Sequence, residues 1–140
     1  AYGSGRGENL KSIKINADYQ ILLIMPDIQI STAWAYKNLN LTLTRKNDDY
    51  KFRGFTFQDL DLVNFRSEFY NDFEKLVFKH HRSLAIVKSQ LYELGADYAS
   101  LSGSGSTVFG LFASKSKTVN AFEIFRGRFN CNISQPVINY

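Results

Sequence analysis

The segment that most constrains the fold of this chain is residues 101–111, in which six small residues separate two apolar stretches. A β-prone run, then Ser-Gly-Ser-Gly-Ser-Thr, then a second β-prone run predicts two neighbouring strands joined by a tight connection. Glycine tolerates positive φ and small side chains let backbone N–H groups approach an anion, so the connection is also a candidate phosphate-binding loop. Taken alone, the pattern favours a hairpin turn without a ligand. The residues of this loop are Ser102, Gly103, Ser104, Gly105, Ser106 and Thr107.

The composition is that of one folded domain. With 140 residues, 44% of them hydrophobic, the chain is long enough to bury a core of its own. A single cysteine, Cys131, excludes an intramolecular disulfide, and no apolar run reaches the ~20 residues of a membrane span. We therefore expect a cytoplasmic protein with no membrane partner. The net charge of +4 comes from scattered basic residues, which argues against a nucleic-acid partner.

The first residue of the chain and the position of its one methionine bear on the origin of the chain. The chain begins at Ala1, and its one methionine is Met25. We therefore expect a processed product, a trimmed chain or a piece of a longer protein.

The order of predicted elements indicates the fold class. Residues 20–26 have the continuous apolar character of a central strand closed by proline, and Ser31 or Thr32 can cap a short helix after it. Residues 38–61 fit either a hairpin or a surface loop. The order from residue 20 onward predicts an α+β, ferredoxin-like split β-α-β domain, an antiparallel sheet with helices on one face. The remaining predicted elements are helices at 64–79, at 83–94 (stopped by Gly95) and at 116–126 (with Val119, Phe122 and Phe125 inside), and strands at 98–102, 107–113 and 131–139.

Known catalytic patterns do not match the chain. The loop lacks the Gly-Lys-Ser/Thr of a P-loop, and Val108 stands where a dinucleotide fingerprint has its third glycine. His80 and His81 have no third ligand nearby, and Asp72 and Glu74 diverge if they lie two apart on a helix. We expect Asn71 and Asp72 to bond to backbone or to a neighbouring loop, and we expect neither a catalytic residue nor a metal site in this chain.

Several short sequence segments nevertheless occur along the chain in an order that indicates a family resemblance. They are Gly-Arg-Gly-Glu at 5–8, Pro26 followed by Ile-Ser-Thr-Ala at 30–33, Asn-Asp-Phe-Glu at 71–74, and Leu-Gly-Ala at 94–96 with the loop segment at 101–109. Along nearly the whole chain they resemble the C-terminal half of kinases in the galactokinase, homoserine kinase, mevalonate kinase and phosphomevalonate kinase (GHMP) superfamily, within its 4-diphosphocytidyl-2-C-methyl-D-erythritol kinase family. Residues 102–109 resemble the third conserved motif of that superfamily.

The resemblance implies an ATP-dependent kinase that phosphorylates the 2-hydroxyl of the erythritol unit of a cytidine-diphosphate substrate, in non-mevalonate isoprenoid biosynthesis. This chain would be the C-terminal, substrate-side domain, facing an N-terminal kinase domain across a cleft, with residues 1–15 a linker or strand toward it. Thr32 would lie near the substrate and residues 102–107 near its phosphates. Tyr36 would help to sandwich the cytosine ring, although an amphipathic surface tyrosine is an equal alternative.

The resemblance also implies what this chain lacks. The ATP-cradling loop and the catalytic lysine and aspartate belong to the N-terminal half of such kinases, so ATP and Mg²⁺ would bind the full-length enzyme. We expect this chain alone to be inactive and to bind neither tightly. The alternatives are a stand-alone regulatory or nucleotide-binding module of ferredoxin-like fold, and an RNA-binding sheet, which lacks its paired aromatic and basic signature here.

Overall fold

The computed structural model describes residues 2–4, 8–11, 18–39, 66 and 69–137. Within these ranges the chain forms two sheets and four helices. In chain order the elements are β1 Tyr2–Ser4, β2 Asn9–Lys11, β3 Gln20–Met25, α1 Thr32–Asn38, α2 Phe73–His80, α3 Arg82–Glu93, β4 Tyr98–Leu101, β5 Val108–Phe112, α4 Lys115–Phe125 and β6 Asn130–Ser134. The prediction of a hairpin or loop over residues 38–61 lies, from residue 40 onward, outside the described residues.

The larger sheet has four strands in the described part, in the order β4-β5-β3-β6, and every neighbouring pair is antiparallel. The apolar run of β3 is central, as predicted: Leu22 is opposite Gly110 on β5 and Ile133 on β6. Strands β3 and β4 are separated in the sheet by β5 and connected through helices, which is the split β-α-β arrangement. The smaller sheet pairs β1 with β2.

One face of the four-stranded sheet carries the main core. Leu22 and Ile24 of β3 and Phe112 of β5 are fully buried there, in the same cluster as side chains from α2, α3 and α4. The helices α2, α3 and α4 therefore cover one face of an antiparallel sheet, as expected of the predicted α+β fold. The helical members of the cluster are Val77, Leu84, Val87, Leu91, Ala121 and Phe125.

Two helices differ from their predicted form. The stripe over residues 64–79 predicts one helix, but α2 begins at Phe73 and residues 69–71 are not helical. The Asn71 side chain accepts a hydrogen bond from the Phe73 N–H at 2.9 Å and so caps the helix at that point. In α4, Val119 was expected inside but is 51% exposed, whereas Thr118 is buried.

The burial of Thr118 has a physical explanation. Its hydroxyl donates to the backbone carbonyl of Ser114 at 3.0 Å, so the side chain enters the interior without an unsatisfied polar group. Thr118, Ala121 and Phe125 then form the stripe that faces the sheet. Val119 is one residue, about 100°, off this stripe.

Most other predicted boundaries are correct to within one residue, and the end of the last strand is the exception. Ser31 caps α1 by accepting from the Trp34 N–H at 3.2 Å, and Gly95, with φ of +91°, follows the end of α3. The last strand was predicted over 131–139 but ends at Ser134, two residues before Pro136. The longest described helix, α3, has 12 residues, and none of the described helices is long and apolar enough to cross a bilayer.

Candidate functional site

The glycine–serine loop, residues 102–107, connects β4 to β5 and has a defined shape. The Ser102 N–H donates to the Thr107 carbonyl at 2.8 Å, and the Gly105 N–H donates to the Ser102 carbonyl at 2.9 Å. Gly103 and Gly105 have φ of +54° and +88°, in the left-handed region that favours glycine. The loop is therefore the tight connection between neighbouring strands that its sequence predicts.

Two hydroxyl contacts tie the loop to the segment that follows β3. Ser106 Oγ donates to the Pro26 carbonyl at 3.2 Å, and Ser104 Oγ lies 3.2 Å from Thr32 Oγ1. The start of α1 therefore touches the middle of the loop. Two of the predicted site segments, the one that begins at Thr32 and the one at residues 102–107, are brought together.

Asn71 ties the loop to the start of α2. Its Nδ2 group donates to the Leu101 carbonyl at 2.7 Å and to the Gly103 carbonyl at 2.8 Å. Its Oδ1 atom is the acceptor that caps Phe73. This confirms the expectation that Asn71 bonds to a neighbouring loop. Asp72, by contrast, makes no capping bond with its side chain in the described structure.

Glu74 makes a second connection between α2 and the loop. Its Oε1 atom accepts from the Leu101 N–H and from the Ser100 hydroxyl, each at 3.0 Å. Its Oε2 atom pairs with the Lys88 ammonium at 2.6 Å, and the two side chains are only 14% and 23% exposed. In the sequence, Glu74 stands out only as half of a possible carboxylate pair with Asp72. The one signal that could have found it is its place in the Asn-Asp-Phe-Glu segment at 71–74.

Trp34 and Tyr36, two residues apart on α1, contact different parts of α2. The Trp34 ring meets His80 edge to face, and the Tyr36 ring meets Phe73 edge to face, each with centroids 5.0 Å apart. The Tyr36 side chain is 62% exposed, whereas Trp34 is half-buried. The two side chains diverge, as residues two apart on a helix do, and the exposed one is Tyr36.

Tyr36 also lines a cleft beside the loop, which we call the aromatic cleft. Its volume is about 490 Å³, within the range of small-molecule sites, and Phe69, Tyr70, Tyr98 and Phe109 contribute further aromatic walls. The sequence does not indicate this cleft, because the apolar spacing predicts that residues 69 and 70 are helical.

Tyr98, which lines the aromatic cleft, has a raised pKa. Burial raises the pKa of its hydroxyl above 10.0, the hydrogen bond with Ser100 opposes this rise, and the negative charge of Glu74 adds to it. The hydroxyl donates to the Phe69 carbonyl at 3.4 Å. The Tyr98 side chain is therefore neutral at physiological pH.

The chemistry of this region is that of binding and orientation. Hydroxyl groups, backbone amides and aromatic rings converge, while the Lys88 cation is paired with Glu74. Residues 18–39 and 69–137, with the short described segments before them, hold no group of three or more His, Cys, Asp or Glu side chains that could bind a metal ion. His80 lies against Trp34, and its Nδ1 atom is 3.0 Å from the Leu76 carbonyl.

A protein-family model and curated relatives both match this chain. Residues 56–131 match the family described as GHMP kinases C terminal. The chain is 40% identical over 142 aligned residues to the 4-diphosphocytidyl-2-C-methyl-D-erythritol kinase of Chlorobium phaeobacteroides (strain BS1), covering 97% of the chain and 48% of that protein. It is 38% identical to the protein of the same name from Thermodesulfovibrio yellowstonii, covering 96% of the chain and 48% of the relative. The chain thus spans about half the length of the curated relatives it matches.

Solved structures support the fold. A crystal structure of 4-(cytidine 5'-diphospho)-2C-methyl-D-erythritol kinase superposes with a TM-score of 0.69 at 21% identity, covering 94% of this chain and 47% of the other. The homoserine kinase of Cytophaga hutchinsonii superposes with a TM-score of 0.51 at 15% identity, covering 94% and 45%.

Proposed function

Because the chain belongs to the GHMP kinases C-terminal family, we propose that it supplies the substrate-side wall of an ATP-dependent kinase. The substrate in this proposal is 4-diphosphocytidyl-2-C-methyl-D-erythritol, and the accepting group is its 2-hydroxyl. The names of the relatives support this substrate, and the half-length match supports a division of labour with an N-terminal domain. The observation that carries the proposal is the contact of Thr32 with Ser104, which joins the glycine–serine loop to the helix that bears Tyr36.

Tyr36 has the properties that a base-stacking residue needs. The edge-to-face contact with Phe73 orients the Tyr36 ring, and the ring's 62% exposure leaves surface available to a ligand. Stacking of a base on an aromatic side chain contributes about 1–3 kcal/mol. We assign Tyr36 to the cytosine end of the substrate.

The loop and Thr32 suit the diphosphate. In the contact between Thr32 and Ser104, one hydroxyl donates and the other accepts, so the accepting hydroxyl retains its proton for a phosphate oxygen. The small side chains of residues 102–107 let backbone N–H groups approach the same anion. We assign Thr32 and the loop to phosphate contacts that hold the substrate in place.

The catalytic groups would come from the N-terminal domain. Phosphoryl transfer needs a nucleotide cradle, charge neutralisation and a group that orients the nucleophile. We propose that the N-terminal domain holds ATP and Mg²⁺ and supplies the catalytic lysine and aspartate. Residues 1–15, which include the β1–β2 pair, would lead toward that domain. The proposal includes a cytoplasmic location, which the unpaired thiol of Cys131 supports.

A phosphoryl-transfer assay tests this division of labour. Transfer from labelled ATP to the diphosphocytidyl substrate is measured for the 140-residue chain alone and for a fusion of this chain to the N-terminal half of the Chlorobium phaeobacteroides relative. The relative's own intact kinase is the positive control, and circular dichroism verifies that each protein is folded. We expect activity from the fusion and none from the chain alone. Activity of the chain alone, or a folded fusion without activity, would contradict the proposal.

A further inference from the structure

We propose that Asn71 and Glu74 are positioning residues that hold the glycine–serine loop in its phosphate-binding shape. Together we call them the loop clamp. This inference rests on the proposed function, because it assigns a role to residues behind the phosphate-facing loop. Neither clamp residue is among those assigned to substrate contact.

The loop clamp holds the point where the strand becomes the loop. Glu74 accepts from the Leu101 N–H at 3.0 Å, and Asn71 donates to the Leu101 carbonyl at 2.7 Å. Both backbone polar groups of Leu101 are therefore bonded to side chains of α2 and its cap. Among the described strands β4 lies at the edge of the sheet, and on its outer side no described strand pairs with these groups. Asn71 and Glu74 supply the hydrogen bonds that a neighbouring strand would otherwise make with Leu101.

The clamp also reaches into the loop itself. The second Nδ2 proton of Asn71 donates to the Gly103 carbonyl at 2.8 Å, so one amide group fixes carbonyls on both sides of Ser102. Gly103 has the wide backbone freedom of glycine, and without such a bond it has many alternative conformations. The bond therefore restricts the backbone conformation at Gly103, where the residue type itself restricts it little.

Lys88 completes the clamp from the neighbouring helix. Its ammonium pairs with Glu74 Oε2 at 2.6 Å and leaves Oε1 for the backbone of residue 101. A charged acceptor makes a stronger hydrogen bond with an N–H group than a neutral one does. The Glu74 carboxylate thus connects the loop to α2 and α3, and both helices are packed in the core.

The clamp differs in kind from the two hydroxyl contacts of the loop. The hydroxyls of Ser104 and Ser106 belong to the loop itself, and a phosphate can compete for their protons. The clamp atoms bond to backbone carbonyls and an N–H group at the start of the loop. Asn71 also lines the aromatic cleft, but Glu74 does not, so loss of the clamp should weaken phosphate binding more than the stacking of the base.

Asn71→Asp is the most direct test variant. It retains an oxygen that can cap Phe73, but it replaces the donor to Leu101 and Gly103 with a carboxylate oxygen that faces two carbonyls. The matched control is Asn120→Asp, which makes the same change of charge at an exposed position of α4. Glu74→Gln is the second variant, because it retains a neutral acceptor for Leu101 while losing the ion pair with Lys88.

The experiment combines amide relaxation with two ligand titrations of the full 140-residue chain. In Asn71→Asp, we expect order parameters of the amides in residues 102–106 to fall from about 0.85 to below about 0.6, with Asn120→Asp unchanged. We expect Asn71→Asp to lower affinity for cytidine diphosphate about tenfold and affinity for cytidine less than twofold. Glu74→Gln should change both measures in the same direction and by less.

The possible outcomes distinguish failure of the clamp, failure of its positioning role and failure of the proposed function. A rigid loop in Asn71→Asp and in Glu74→Gln overturns the clamp. A mobile loop with unchanged affinity for cytidine diphosphate overturns its positioning role and leaves the proposed function standing. A wild-type chain that does not bind cytidine diphosphate at all contradicts the proposed function, and the positioning role with it. A general loss of structure is excluded if cytidine affinity and the amide signals of α4 stay unchanged.

Discussion

The hydroxyl of Thr32 lies 3.2 Å from the hydroxyl of Ser104, although 72 residues separate them in the sequence. This contact places the first turn of α1 against the middle of the glycine–serine loop. Tyr36 lies one turn further along the same helix and lines the aromatic cleft. The surface proposed for a base and the surface proposed for phosphates are thus adjacent on one side of the domain.

Substitution of Tyr36 should affect ligand binding much more than folding. Tyr36→Ala removes an exposed ring, and we expect a loss of about 1–3 kcal/mol in binding cytidine diphosphate, measured by calorimetry. Tyr36→Phe retains the ring and should bind within about twofold of wild type, because the stacking surface is preserved. Equal affinities of Tyr36→Ala and wild type would mean that Tyr36 is an ordinary surface tyrosine.

Removal of the Glu74 carboxylate should destabilise the fold. Glu74→Ala leaves the Leu101 N–H and the Lys88 ammonium without their acceptor, and both side chains of the ion pair are mostly buried. We expect the free energy of unfolding in urea to fall by about 2–4 kcal/mol. The control is Glu123→Ala, which breaks an exposed ion pair with Arg126 and should cost less than about 0.5 kcal/mol. Similar losses in the two variants would contradict the assigned role of Glu74.

Gly105 should tolerate no side chain. Its φ is +88°, and an added Cβ would lie 3.0 Å from Leu101 Cδ1 and 3.1 Å from Ile30 Cδ1. We expect Gly105→Ala to lower the free energy of unfolding by about 2 kcal/mol, from backbone strain and crowding together. An added Cβ at Gly127 meets no atom within 4 Å in the described part of the chain, so Gly127→Ala should stay within about 0.5 kcal/mol of wild type. Stability of Gly105→Ala equal to that of Gly127→Ala would show that the loop adopts another backbone conformation.

The raised pKa of Tyr98 predicts a loss of stability in alkaline solution. Burial makes the folded state hold the Tyr98 proton more tightly than the unfolded chain, whose tyrosine titrates near 10.0. The corresponding stabilisation is complete below pH 10 and is lost as the pH rises through the higher pKa of the folded state. Urea unfolding between pH 8 and pH 11 should show this decline, with a shallower slope in Tyr98→Phe. A slope unchanged by that substitution would contradict the prediction, because the remaining decline is assigned to Tyr19, whose pKa burial also raises.

Much of the architecture could be predicted because its signals are local. The apolar run of β3 indicates a central strand, and Gly95 ends α3 through its own left-handed backbone conformation. The glycine–serine loop likewise carries its turn chemistry in its own residues. Local propensity and the tertiary structure agree at each of these places.

The start of α2 and the loop clamp could not be predicted, because their determinants are distant in sequence. The apolar spacing of residues 65, 69 and 73 continues the helical pattern backward, whereas α2 begins at Phe73, where Asn71 caps it. That asparagine is held in place by bonds to Leu101 and Gly103, about 30 residues away. Glu74 has its role for the same reason, since its partners lie on α3 and β4.

The central claim is that this chain forms the wall of a kinase active site that binds the diphosphocytidyl substrate. Mapping of amide chemical shifts in the labelled 140-residue chain, titrated with 4-diphosphocytidyl-2-C-methyl-D-erythritol, tests it most directly. The account predicts saturable shifts in residues 32–36 and 102–107, and none in Lys115–Phe125, which packs on β3 and β6. The absence of shifts at millimolar ligand, or shifts that leave both predicted segments unchanged, would contradict it.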